Sequence, residues 1–92
     1  MASGTISSGK LYTRTFSSDA FNISAGANGS AFISITDSSH ALALVGIIGH
    51  GSGGLAYSDW TVEDGKAKLW FRNTTTSNKT GVVLDAIVLY QS

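Results

Sequence analysis

Two histidines, six carboxylates and many hydroxyl groups are the side chains in this 92-residue sequence that could do chemistry. His50 and Ser52 lie in the glycine-rich stretch 49–54, which invites comparison with phosphate-binding and oxyanion loops. A phosphate-binding loop needs Gly-Lys-Ser/Thr opening a helix, and an oxyanion loop needs a Gly-x-Ser-x-Gly nucleophile elsewhere. The sequence contains neither pattern. We therefore interpret 49–54 as a connection between two strands.

Hydrolytic chemistry finds no better support in the remaining side chains. Serine, histidine and aspartate are all present, but a β domain of 92 residues has little room for a closed active-site pocket. Asp59 and Glu63 would lie roughly 13 Å apart in one strand, beyond the separation that glycoside hydrolysis uses. We therefore predict a protein that is not an enzyme, with no catalytic residue and no cofactor.

His40 and His50 are the candidate metal ligands among the nitrogen-bearing side chains. No ligand spacing surrounds them, and the lack of cysteine excludes thiolate sites and disulfides. We interpret both histidines as polar loop residues and predict no metal. A three-histidine site on the axis of a symmetric trimer is an alternative that the sequence leaves open.

Charge and composition exclude two classes of partner. Six basic residues balance six acidic ones and 13% of the residues are charged, which leaves no electrostatic footprint for nucleic acid. No polybasic segment is present for a membrane surface, and the longest apolar run, 41–49, is about half a membrane span. The N-terminal residues lack a signal-peptide pattern. A short chain with few charges and no disulfide is predicted to gain stability and solubility from oligomerisation.

Alternation of apolar and polar residues predicts an all-β fold. The predicted strands are 10–16, 20–25, 30–36, 41–48, 59–63, 66–73 and 80–91. Asn28-Gly29 predicts a hairpin that pairs the second of these strands with the third. We expect an antiparallel β-sandwich or jelly-roll-like fold of about six or seven strands. Residues 10–92 are predicted to form this single domain, and residues 1–9 a flexible tail or linker.

A second hairpin is predicted at Asp64-Gly65, with Glu63 opposite Lys66. Its apolar face is predicted to belong to the core and consists of Trp60, Val62, Ala67, Leu69 and Phe71. Trp70 is the odd residue of the opposite, polar face, and three interpretations stay open. It could pack against another layer of the same subunit, lie in a subunit interface, or stack on a sugar ring with Arg72 and Asp59 as hydrogen-bonding neighbours.

Two predicted strands, 41–48 and 80–91, are apolar on both faces. Burial of both faces in an antiparallel fold requires a second covering layer, from the same chain or from a neighbouring subunit. These strands and the polar face around Trp70 supply the candidates for a subunit interface. The candidates are Trp70, Arg72, Leu44, Ile48, Ile87 and Leu89.

Four segments follow one another in an order that resembles the small C-terminal domains of tail-fibre and baseplate proteins of tailed bacteriophages. They are Asn22-Ile23-Ser24-Ala25-Gly26, Leu44-Val45-Gly46-Ile47-Ile48-Gly49, Trp70-Phe71-Arg72-Asn73-Thr74 and Val83 to Tyr90. The resemblance covers about three quarters of the chain and rests on the order of these short segments. It implies a trimeric β-sandwich or jelly-roll tip of a virion that recognises a host-surface receptor, often a glycan.

The same resemblance places the segment from His50 to Ser58 where such domains vary, which implies receptor contact there. The candidate receptor-binding residues are His50, Ser52, Tyr57 and Asp59. The implied partners are further copies of the chain, as a trimer, and a glycan or protein on the host cell. Two alternatives stay open: a structural virion part such as a decoration domain, and a carbohydrate-binding module of a secreted bacterial protein.

Overall fold

The computed structural model describes residues 10–92, which form seven β-strands in two antiparallel sheets. The strands are β1 (Leu11–Ser17), β2 (Phe21–Ile23), β3 (Asn28–Ser34), β4 (Ala41–His50), β5 (Leu55–Glu63), β6 (Lys66–Asn73) and β7 (Lys79–Gln91). One turn of 3-10 helix, Ser38–His40, precedes β4. The predicted antiparallel β-sandwich of six or seven strands is confirmed. The predicted tail or linker at 1–9 lies outside the described residues.

Each sheet is built around one long central strand. In the first sheet, β7 pairs with β4 along one edge and with β1 and then β2 along the other. In the second sheet, β6 lies between β3 and β5. The chain changes sheet before β3, before β4, before β5 and before β7, so neither sheet forms from one continuous stretch of sequence.

The core lies between the inner faces of the two central strands. Because side chains alternate along a strand, every second residue of β6 and β7 points inward. These residues are Ala67, Leu69, Phe71, Val82, Leu84, Ala86, Val88 and Tyr90, all buried. The predicted core position of Trp60 is wrong, because its side chain is 51% exposed. Trp60 does share the inner face with Leu69, but it sits on the edge strand β5, where the cover from the facing sheet ends.

The hairpin between β5 and β6 has the predicted turn and register. Asp64 and Gly65 have φ values of 55° and 72°, the positive values that a type I′ turn requires at both central positions. Glu63 pairs with Lys66 and Trp60 with Leu69, as expected. The strand is longer than predicted because β5 begins at Leu55 and continues through an irregularity between Tyr57 and Asp59.

The hairpin predicted at Asn28-Gly29 is wrong, because β2 pairs with β7 whereas β3 pairs with β6. Both residues lie inside β3, and Gly29 sits opposite Phe71. A Cβ at Gly29 would lie 2.8 Å from Cε1 of Phe71, so the missing side chain makes room for the aromatic ring. The chain changes sheet in the short segment between β2 and β3, and the local turn signal is overridden by packing across the core.

Asn73 holds this crossing in place from the end of β6. Its side chain is completely buried, and Nδ2 donates to the carbonyl oxygens of Ile23, at 3.3 Å, and Ser77, at 2.8 Å. Oδ1 accepts hydrogen bonds from the backbone N–H of Thr75, at 3.0 Å, and from its hydroxyl, at 2.6 Å. The backbone N–H of Asn73 donates to the carbonyl of Ala27. The side chain and the backbone N–H of Asn73 together therefore connect the end of β2, the residue before β3 and the loop after β6.

The two strands predicted to be apolar on both faces, β4 and β7, have one buried face and one outer face. Val45 and Ile48 of β4 are 55% and 47% exposed. Ile87 and Leu89, on the outer side of β7, are partly buried by their strand neighbours. No second layer of residues 10–92 covers this outer face. Its cover by a neighbouring subunit stays a prediction.

Candidate functional site

The glycine-rich connection is shorter than predicted. His50 is the last residue of β4 and Leu55 the first of β5, so the connection comprises only 51–54, and the predicted loop from His50 to Ser58 is wrong in extent. Ser52 lies in this turn, where its carbonyl accepts a hydrogen bond from the N–H of Leu55 at 3.1 Å. Tyr57 lies within β5, and its ring meets Phe71 edge to face at 6.0 Å.

The four residues predicted to contact a receptor point in different directions. Tyr57 faces the interior, whereas Asp59 pairs with Trp70 on the outer side of the second sheet. His50 pairs with Val83 on the outer side of the first sheet. Ser52 is in the turn between the sheets. The structure therefore does not gather these residues into one surface.

His50, Asp85 and Ser17 form a polar cluster on the outer side of the first sheet. The Ser17 hydroxyl donates to Oδ1 of Asp85 at 2.6 Å, and Nε2 of His50 lies 2.8 Å from Oδ2. The carboxylate stands between the serine and the histidine, whereas a hydrolytic triad requires the histidine in the middle to take the serine proton. Hydrogen bonds from Ser17 and His50 hold the pKa of Asp85 below its ordinary value of 3.8.

The lowered pKa of Asp85 predicts a pH-dependent contribution to stability. Because the folded-state pKa lies below the unfolded value of 3.8, the hydrogen bonds to the carboxylate stabilise the fold above that pH. This contribution is lost as the pH falls through the folded-state pKa. Urea unfolding should show the largest difference between wild type and Asp85→Asn near neutral pH and a smaller one in strong acid. A difference that stays constant with pH would show that the charge on Asp85 is irrelevant.

The arrangement of side chains within residues 10–92 does not support a metal site. No three histidine, aspartate or glutamate side chains of that range come together as potential ligands. His40 is engaged elsewhere, with Nδ1 3.1 Å from the carbonyl oxygen of Gln91. No helix within the same range is long and apolar enough to cross a membrane.

The outer side of the first sheet carries a set of apolar side chains that we call the apolar face. Its members are Leu11, Ile48, Val83, Ile87 and Leu89. Ile87 is central, between Thr15 and Gly46, and a Cβ on Gly46 would lie 3.1 Å from its Cδ1. Three of the predicted interface residues therefore share one surface: Ile48, Ile87 and Leu89. Leu44 instead faces the core and is 9% exposed.

The outer side of the second sheet carries what we call the aromatic platform, defined by Phe32, Trp70, Ser30, Asp59 and Arg72. Trp70 is flanked in register by Ser30 on β3 and Asp59 on β5. The rings of Phe32 and Trp70 meet edge to face at 5.6 Å. The predicted interface residues Trp70 and Arg72 thus lie on the side of the sandwich opposite the apolar face.

Phe32 is the member of this platform that the sequence analysis missed. It is 52% exposed, and it follows from the alternation that buries Ala31 and Ile33 on the inner side of β3. The signal was present, because a phenylalanine flanked by Ser30 and Ser34 on the solvent side interrupts an otherwise polar face. The distance between Phe32 and Trp70 required the pairing of β3 with β6.

An apolar groove opens between the edge strands of the two sheets. It has a volume of about 260 Å³ and is lined by Leu44, Val45, Gly46, Ile47, Tyr57 and Trp60. Its aromatic side chains come from β5, and its aliphatic ones come from β4. This groove explains the exposure of Trp60 despite its inward orientation.

Comparison with known proteins identifies no relative. No protein-family model matches the chain, and no curated protein or solved structure is detectably similar to it. The fold and its surfaces are therefore the basis on which a function is proposed.

Proposed function

We propose that the chain is a tail-tip domain of a tailed bacteriophage that assembles as a homotrimer and attaches to a host-surface receptor, a glycan. The observation that carries this proposal is the apolar face on the outer side of the first sheet. The trimeric state and the host receptor are inferred from the four sequence segments, whose order resembles that in phage tail-fibre and baseplate domains. The location that follows is the tail tip or fibre of the virion.

The apolar face favours association between copies of the chain, because an apolar surface is unfavourable when it is left exposed to water. Ile48 and Leu11 are each about half exposed near its two ends, with the partly buried Ile87 and Leu89 between them, and exposed apolar patches mark interaction sites in soluble proteins. The chain has no net charge and few charged residues to keep such a surface in solution. Because the side chains stand on the central strand β7 and its neighbours, the surface is formed before association.

Three copies can bury this face by directing it toward a common threefold axis. Ile87 lies at its centre, with the small Gly46 and Thr15 on either side, so its side chain can be approached closely. A closed ring of three copies covers the face on every subunit and leaves none available for further growth. The outer side of the second sheet then points away from the axis, toward a receptor.

Ile87→Asp is expected to convert the trimer into monomers. It would add three carboxylates around one axis to those of Asp85, which Ser17 and His50 already hydrogen-bond, at a cost of several kcal/mol. Size-exclusion chromatography with light scattering should give three times the 9.5 kDa chain mass for wild type and the single-chain mass for the variant. Phe32→Asp is the control, because it introduces the same charge at an apolar residue on the opposite side of the sandwich and should leave a trimer. A monomeric wild type would contradict the trimeric tip.

The second candidate function is a monomeric carbohydrate-binding module of a secreted bacterial protein. The aromatic platform favours it, because the exposed ring of Phe32 and the half-buried ring of Trp70 on a sheet surface suit sugar recognition without any requirement for a trimer. A monomeric wild type that binds glycans would support this module. A trimer without any ligand would support a decoration domain of the virion.

A further inference from the structure

We propose that the aromatic platform on the outer side of the second sheet is the saccharide-binding site, with a sugar ring stacked on Trp70 and held by Arg72, Asp59 and Ser30. This inference rests on the receptor-binding part of the proposed function and moves the contact away from the glycine-rich connection.

The platform places an amphipathic aromatic ring on a rigid support. Trp70 lies on the central strand β6, and Phe32 on β3 meets its ring edge to face, with 72° between the ring planes. Phe32 is 52% exposed. The C–H groups of a pyranose face are weakly positive and apolar, which suits the negative face of an indole ring. Such rings bring large contact area at low conformational cost, because two side-chain angles are fixed.

Hydrogen-bonding groups surround Trp70 at the distances that a single sugar requires. Ser30 and Asp59 pair with Trp70 from the two neighbouring strands, about 5 Å away between Cα atoms. Arg72 lies two residues farther along β6, on the same side and about 7 Å away. A pyranose ring stacked on the indole thus has an acceptor, a hydroxyl and a cationic donor within reach of its hydroxyl groups.

Two of these polar groups are not committed to other parts of the protein. Within residues 10–92, Arg72 makes no ion pair and its guanidinium makes no hydrogen bond. Asp59 uses Oδ1 to accept the N–H of Trp60 at 2.8 Å, which fixes its orientation, and Oδ2 has no partner in that range. An exposed arginine and a fixed carboxylate beside a tryptophan form a ready hydrogen-bonding set.

The other cations of this face argue for a saccharide and against nucleic acid. Lys68 lies 3.1 Å from Asp64 and 3.6 Å from Glu63, so its charge is neutralised locally. Lys66 donates to the hydroxyl of Ser34 at 3.4 Å and lies in register with Glu63. Arg72 and Lys66 make no ion pair within residues 10–92, and two such cations are too few for nucleic acid recognition, which depends on neutralising several phosphates.

The test is an array of bacterial cell-surface glycans probed with wild type, Trp70→Ala, Arg72→Gln and Trp60→Ala. Trp60→Ala is the matched control, because it removes the other tryptophan, which lines the edge groove on the inner side. Trp70→Ala should weaken binding to the recognised glycan about tenfold or more, as expected for a central aromatic contact. Arg72→Gln should also weaken it, whereas Trp60→Ala should leave it within about twofold.

Two further measurements distinguish a loss of sugar contacts from a loss of folding. Arg72→Gln changes an exposed side chain with no partner among the described residues, so a loss of binding by this variant is not a folding defect. In a Trp60→Phe background, Trp70 is the single tryptophan, and its fluorescence should change when the recognised glycan is added. Unchanged fluorescence would overturn the stacking geometry.

Different results would contradict the saccharide site on the platform and the trimeric receptor-binding function. Loss of binding in Trp60→Ala with full binding in Trp70→Ala would assign the receptor to the edge groove and overturn the platform, while the receptor-binding function would stand. Absence of binding by wild type to every glycan on the array would overturn the saccharide site. The trimeric state would then be tested independently, by the mass that light scattering gives for wild type.

Discussion

Asn73→Asp is expected to destabilise the fold by about 2–4 kcal/mol at neutral pH. The substitution keeps the shape of the side chain but replaces its donor, which reaches the carbonyl oxygens of Ile23 and Ser77. A carboxylate oxygen would face those carbonyls inside a site with no solvent exposure. Burial and repulsion would raise the pKa of the new carboxyl, so the penalty should shrink in acid, where the protonated form can donate to one of the carbonyls.

Asn78→Asp is the matched control for this prediction. Asn78 is exposed and uses Oδ1 to accept the backbone N–H of Ala25 at 3.0 Å, a role that a carboxylate oxygen can fill. Its effect is expected to stay within about 0.5 kcal/mol. Urea unfolding of both variants near neutral pH and near pH 4 measures the difference. Equal stability of the two variants would show that the buried amide donor of Asn73 is not what holds the crossing between the sheets.

Phe71→Ala is expected to lower the free energy of unfolding by about 3–5 kcal/mol. The ring is 2% exposed, stacks with Phe21 at 5.4 Å and meets Tyr57 at 6.0 Å. Gly29 on the neighbouring strand β3 leaves the space that the ring fills, so removal of the ring would open a cavity that the backbone cannot easily close. Most of the native stability of a domain this small would be lost.

Phe32→Ala provides the comparison with the same residue type on the neighbouring strand. Phe32 is half exposed and contacts Trp70 and Lys68 on the outer side of the sheet. Its loss is expected to cost less than about 1.5 kcal/mol, because no internal cavity forms. Chemical denaturation of both variants at one protein concentration tests this. Similar losses would mean that the outer aromatic pair contributes as much to folding as the core.

Local sequence patterns predicted the strand pairing correctly where residues close in sequence are also neighbours in the fold. The hairpin around Asp64 and Gly65 is the example, because its turn chemistry and the alternation of its strands determine the pairing together. Asn28-Gly29 has an equally strong local signal, yet it lies inside a strand. Contacts distant in sequence decide the outcome there: the ring of Phe71 needs Gly29, and Asn73 holds the carbonyls on either side of the crossing.

For the candidate site, too, the sequence predicted the features that depend on nearby residues, and the structure supplied those that depend on distant ones. The sequence indicated that Trp70 stands out on a polar face with Arg72 and Asp59, and the structure adds Phe32 from a strand about forty positions earlier in the chain. The proximity of His50 to Asp85 could not be predicted, because it depends on the register between β4 and β7. The resemblance to phage tail domains implied receptor contact by a loop from His50 to Ser58, but β5 begins already at Leu55.

The sequence by itself determined that this chain is a β protein and which side chains share a side of regular strands such as β6 and β7, because alternation is a property of neighbouring residues. Irregularities in β4 and β5 break this alternation, so Tyr57 faces the interior and Asp59 the outer side. The tertiary structure decided which of those sides is covered. Trp60 and Leu69 face the same way, yet Leu69 is buried on a central strand and Trp60 is exposed on an edge strand. Burial depends on what the other sheet places opposite, and that arrangement is set by pairings between distant segments, above all those of β7.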